Sequence, residues 1–230
     1  MAGATRVMIE LGPKGKKVAA VAPDWPGLER GGKSEDAALE RLLSYLPRYA
    51  PVAKLAGMET EFAGVTSADV VERYPGTGST DFWGISFAFS DIDHQAVSSE
   101  QLARELTLMQ ACWAFFDHVR SRVSPELRKG PRGGGRDRDR IVQHIVANEQ
   151  DWAPKLGPRP EGPTLTEELL ESEELLESHR DAYCDAIRTL HADGKMAGKW
   201  PLRYLIRHTA YHTLDHAWEM EDRDQTAVPA

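Results

Sequence analysis

The sequence predicts an α+β protein, with a small sheet-and-helix module in residues 1–96 followed by a four-helix bundle in residues 97–230. Three observations predict it. Near the N-terminus two short β-like runs, TRVMIEL and KKVAAVA, are joined by GPKG. From about Ser98 onward, apolar residues recur with a helical period through long segments. Near the C-terminus, RHTAYHTLDHAWEMEDR spaces His208, His212 and His216 one helical turn apart.

Taken in order, residues 5–11 and 16–22 form a hairpin, PDWPG turns the chain, and a third short extended piece ends at GGKS. Ser34 is placed to cap the next helix, because Glu35 and Asp36 then fall in its first turn, where the helix dipole favours acids. That helix is expected to reach about Tyr49, with Leu39, Leu42, Leu43 and Leu46 on one face. Residues 60–93 alternate weakly and contain YPGTGST, which predicts strands or irregular cover around Phe82, Trp83, Ile85, Phe87 and Phe89. GTGS matches no complete phosphate-binding fingerprint and reads as a turn.

The bundle starts with SSEQLARELTLMQACWAFFDHVRSRV, which carries Leu102, Leu106, Met109, Trp113 and Phe116 on one side. A second helix contains His144 and is ended by Pro154, Gly157, Pro158 and Pro160. The third spans about 166–191 behind a capping-box spacing of Thr164 and Glu167. Pro201 suits the first position of the fourth, where a missing N–H costs nothing.

The 230 residues suffice for one large or two small domains. The net charge of −8 is spread over both halves, with 10 basic against 13 acidic groups up to residue 97 and 18 against 23 beyond it. Neither half has the basic footprint of a nucleic-acid binder. No apolar run approaches the roughly 18 residues of a membrane span. The N-terminus lacks a secretory signal and the chain has two cysteines, so a reducing cytoplasm is expected. Cys112 and Cys184 read as small buried apolar residues. The loop RKGPRGGGRDRDR, residues 128–140, reads as a flexible connection. If it borders a metal site, its arginines would hold a substrate carboxylate or phosphate.

Two histidines at i and i+4 share a helix face and can grip one metal ion. A helical projection puts His216 roughly 40°, His212 roughly 80° and His208 roughly 120° from the apolar axis. This favours His212 and His216 as the inner pair and leaves His208 nearer solvent. His144 lies about 90° from the centre of the Ile141, Ile145 and Trp152 face, at the edge where a neighbouring helix would meet it. Three nitrogen ligands leave an open position, as in reactive rather than structural zinc sites. Zinc fits nitrogen ligation and nickel suits the same set. Glu149 projects within about 50° of its helix's apolar centre, as a general base, a partner to a ligand, or plain hydrogen-bonded structure. Asp117 is open to the same readings. Asp215 and Glu219 project outward as surface charge, and Trp113, Trp152, Phe115 and Phe116 are expected in the core.

His144, the pair His212 and His216, and the ending HAWEMEDR resemble the DinB and YfiT-like superfamily of metal-binding four-helix bundles over about Ser98 to Arg223. His208 and His212, in HTAYH, resemble that family's pair nearly as well, and the projection favours the lower pair. The stretch VAPDWPGLERGGKSEDAALERL makes the front module similar to HicB-like (UPF0150-type) small α/β domains. The second resemblance implies a fold, with the module covering the bundle or making a dimer contact. The first implies a divalent-metal-dependent enzyme in which His144, His212 and His216 hold zinc or nickel. The metal would activate water or a low-molecular-weight thiol toward a small-molecule substrate, as in thiol S-transferases. The reading from another class is a non-enzymatic scaffold with a structural metal site and a partner-binding front module. Pairing of two copies stays open.

Overall fold

The computed structural model describes residues 3–130, 134–157 and 166–226. The chain divides into two compact units, one made of residues 1–115 with 203–211 and the other of residues 116–202 with 212–230.

In the first unit, β1 (Gly3–Leu11), β2 (Val18–Val21), β3 (Glu29–Gly32) and β4 (Val65–Pro75) form one sheet in the order β3-β2-β1-β4. The expected hairpin is present, with β1 antiparallel to β2 and Met8 opposite Val21. β2 pairs antiparallel with β3, and β4 returns parallel to β1. A parallel return needs a crossover. α1 (Glu35–Ser44), α2 (Leu46–Leu55) and α3 (Glu59–Ala63) supply it. Ser34 caps α1 by accepting from the Ala37 N–H at 3.2 Å. The single helix expected to run to Tyr49 breaks at Tyr45, because Pro47 has no N–H to continue the ladder. The burial shifts accordingly: Ala38, Leu42, Tyr49 and Val52 are buried, whereas Leu39, Leu43 and Leu46 are half-buried. On the free edge, β4 carries two register shifts, the charged Asp69, Glu72 and Arg73, and Pro75, features that discourage edge-to-edge pairing.

After the end of α3, residues 60–93 contain β4 and two further short helices, α4 (Gly78–Trp83) and α5 (Asp91–His94). GTGS is therefore a helix start rather than a turn. The Thr77 hydroxyl accepts from the Ser79 N–H, and Thr80 reaches back to the Thr77 N–H. Asp81 binds the backbone N–H groups of Lys14 and Lys16 in the β1–β2 hairpin at 2.7 and 2.8 Å. Phe82 and Trp83 are exposed. Segment 80–88 is drawn onto β1 by the buried Glu10 carboxylate, which accepts from the Thr80 and Ser86 hydroxyls and from the Phe87 and Ala88 N–H groups.

The longest described helices are α6 (Ser99–Arg122), α7 (Arg138–Trp152), α9 (Glu173–Ala192) and α10 (Leu202–Arg223). A 3₁₀ turn at Ala153–Leu156 ends α7, and α8 (Thr166–Glu171) precedes α9. The expected third helix is broken at Ser172, whose hydroxyl caps α9 through the Leu175 N–H. Thr164 of the expected capping box lies outside the described residues. Pro201 is the cap of α10 rather than its first residue. Leu102, Leu106, Met109, Trp113 and Phe116 are buried along α6 as expected. Among the described residues no helix is long and apolar enough to cross a membrane.

α6 and α10 each contribute an N-terminal part to the first unit and a C-terminal part to the second. Arginines on these helix parts hold them within the first unit. Arg104 donates to the Asp24 carbonyl at 2.6 Å, Arg203 to Glu105 and the Ile92 carbonyl, and Arg207 to Asp93 at 2.7 and 2.8 Å. In the second unit, Arg180 of α9 joins Asp117 of α6 to Glu149 of α7, and Arg122 of α6 pairs with Glu221 of α10.

Candidate metal centre

The second unit brings His144 of α7 together with His212 and His216 of α10. One ligand atom from each lies within 4.8 Å of the other two. The ring centroids form a nearly equilateral triangle, with sides of 4.9, 5.0 and 4.9 Å. His144 Nε2 and His212 Nε2 are 3.1 Å apart. All three side chains are half-buried. Among the described residues, no cysteine or carboxylate joins the group. Three imidazoles with no fourth protein ligand fit a divalent transition ion that keeps an exchangeable position.

Local sequence explains the convergence. Ile141, Val142, Ile145 and Val146 bury one side of α7 and leave His144 at its edge. Thr213, Leu214, Ala217, Trp218 and Met220 are buried around His212 and His216 on α10. Burial, and then the neighbouring His216 and Arg136, lowers His144 from 6.5 to about 4, so the ring is neutral near pH 7. Neutrality is what a metal ligand requires.

Other groups orient the rings. His216 Nδ1 is 2.7 Å from Glu219 Oε2, and Glu219 Oε1 accepts from Arg223 Nη1 at 2.5 Å. His216 and then Arg223 hold the Glu219 carboxyl below the usual carboxylate range. The Asn148 side-chain amide lies 3.2 Å from His144 Nδ1 and donates to the His144 carbonyl at 2.7 Å. Trp152 stands edge-on to His212, with ring centroids 5.5 Å apart.

Several sequence expectations meet a different arrangement. Glu219 is a partner of His216 rather than loose surface charge; the signal was an acid at i+3 from a candidate ligand. Trp152 is half-buried beside the histidines, not a core residue. His208, expected near solvent, is only 7% exposed and belongs to the first unit. It stacks on Tyr204 at 5.1 Å with Phe87 at 5.6 Å, and burial pushes it down to about 3. The projection assumed a wet side, yet every residue from Arg203 to Tyr211 is buried. Arg203 and Arg207 are inside because carboxylates of the same unit neutralise them.

Glu149 is 2% exposed and faces Arg180, with N···O distances of 3.3 and 3.4 Å. It sits five residues after His144, about 140° around the helix, so it does not share the face of that ligand. Asp117 completes the arrangement by accepting from Arg180 at 2.6 Å. Cys112 and Cys184 are buried, and burial pushes the Cys184 thiol up to about 12. Trp113, Phe115 and Phe116 are core residues. In the basic loop, the described parts dock on the end of α10 through Arg223, with 131–133 outside the described residues.

Comparison of the chain with protein-family models, with curated proteins and with solved structures finds no match.

Proposed function

We propose that the chain is a divalent-metal-dependent enzyme of the DinB and YfiT-like kind, acting on a small molecule through a metal-activated thiol or water. The observation that carries this reading is the three-imidazole cluster with no fourth protein ligand among the described residues. The four long helices, linked by Arg180, Asp117 and Glu149 and by Arg122 and Glu221, support a bundle of that type. The strand order β3-β2-β1-β4 with α1 before a parallel β4 supports a HicB-like front module.

A zinc or nickel ion held by His144, His212 and His216 supplies Lewis acidity, lowering the pKa of a coordinated thiol or water. The protein's part is to present neutral nitrogens in fixed directions. Burial keeps His144 unprotonated, Glu219 orients His216, and Trp152 shields the flank of His212. Glu149 is not needed for this role, because Arg180 engages it.

The test is a screen of the zinc- and nickel-loaded protein for thiol transfer and hydrolysis, with low-molecular-weight thiols and small electrophiles. Turnover that a chelator abolishes and metal restores, and that His212→Ala/His216→Ala lacks, is expected. Stoichiometric metal without turnover in any thiol or water reaction would instead favour a non-enzymatic metal-binding scaffold.

A further inference from the structure

We infer that Glu219 and Arg223 are positioning residues of the metal centre, through which the glycine-rich loop after α6 sets the orientation of His216. The inference rests on the reading of the three histidines as a metal site. Glu219 lies one turn beyond His216 on α10, with its Oε2 2.7 Å from the ring's Nδ1. A carboxylate only accepts, so the imidazole proton is held at Nδ1. Nε2 is left with its lone pair for the ion. A carboxylate behind a ligating imidazole also fixes the ring plane and raises its basicity.

Glu219 is itself held. Its other oxygen accepts from Arg223 Nη1, and two further donors of Arg223 go to the loop, Nε to the Arg128 carbonyl and Nη2 to the Arg136 carbonyl, both at 2.8 Å. The Arg128 N–H returns a bond of 2.8 Å to the Arg223 carbonyl. A solvent-exposed Glu–Arg pair at i and i+4 adds little to a helix. Backbone carbonyls on two further sides of the guanidinium give this pair a defined geometry.

Gly135 shows that the fit is close. Its φ is 120°, and a Cβ there would stand 2.6 Å from Arg223 Nη2. Any side chain would strain the backbone and displace the guanidinium. Glycine at this position thus serves a close approach to Arg223, and the loop is more than a flexible tether.

The experiment measures zinc affinity by competition with a chromophoric chelator, and the absorption spectrum of the cobalt(II) form. Full-length wild type is compared with Glu219→Ala, Glu219→Gln, Arg223→Met and Gly135→Ala, with circular dichroism as the control for folding. Glu219→Ala should weaken zinc about 10–100-fold and alter the cobalt bands, as expected when such a partner is lost. Glu219→Gln should fall between, and Arg223→Met and Gly135→Ala should shift both readouts the same way by less. Wild-type affinity and spectrum in folded Glu219→Ala would overturn the inference while leaving the site intact. A wild type that binds no metal would overturn the underlying reading as well.

Discussion

His144 and His212 bring their Nε2 atoms to 3.1 Å across α7 and α10, although 68 residues separate them. Two ligands on a tetrahedral zinc ion, each at about 2.05 Å, stand roughly 3.3 Å apart. For this pair of ligands, accepting an ion needs only a few tenths of an ångström of adjustment.

His144→Ala should leave the protein folded and weaken zinc binding by more than about 100-fold, because removing a ligand exceeds the loss of a supporting partner. Chelator competition reads the affinity. Unchanged affinity would remove α7 from the site.

Glu149→Ala separates a structural role from a catalytic one. Breaking a fully buried pair costs about 3–5 kcal/mol. Arg180 keeps Asp117 at 2.6 Å, so urea unfolding should show a loss below that range, about 2–3 kcal/mol. Metal affinity should stay within about twofold of wild type, given its distance around the helix from His144. A large loss of metal with little loss of stability would return Glu149 to the site.

His208 gives the acid limb of stability a particular sign. Its value falls from 6.5 to about 3 through burial, so the unfolded chain binds the proton first. Its contribution is complete above pH 6.5 and declines by about 1.4 kcal/mol per pH unit as pH falls toward 3. The unfolding free energy of wild type minus that of His208→Phe should follow this slope. A difference that does not vary with pH would mean that His208 is charged in the folded protein.

Glu29 acts in the opposite direction. Burial raises it from 4.5 to about 8, against the opposing charge of Arg207. The folded state then holds a proton that the unfolded chain releases, so this stability is complete below pH 4.5 and is lost as pH rises through 8. Compared with Glu29→Gln, wild type should lose ground steadily between pH 5 and 8. A constant difference would show the carboxyl already ionised.

The hairpin, the Ser34 cap and the extent of α6 were legible because each rests on neighbours in sequence: alternation, one capping side chain, one apolar stripe. Pro47 was a legible break that the leucine pattern of α1 obscured. Helix α4 was not legible, because Asp81 is stabilised by the N–H groups of Lys14 and Lys16 far earlier in the chain. At the site, the i, i+4 spacing and the edge position of His144 pointed to the three histidines. The burial of Arg207 was hidden, since it depends on carboxylates such as Asp93 that only the tertiary fold supplies, and that of His208 was hidden because Phe87 reaches it from a distant segment. Glu219 was visible at i+3 but looked outward on a projection drawn from apolar residues alone.

The proposed metal site is the set His144, His212 and His216. Its most direct test is elemental analysis of untagged protein purified without chelator and incubated with zinc or nickel. Wild type is compared with His212→Ala/His216→Ala and with His208→Ala. Near-stoichiometric metal is expected in wild type and in His208→Ala, and none in the double variant. Metal lost with His208→Ala, or no metal in wild type, would contradict it.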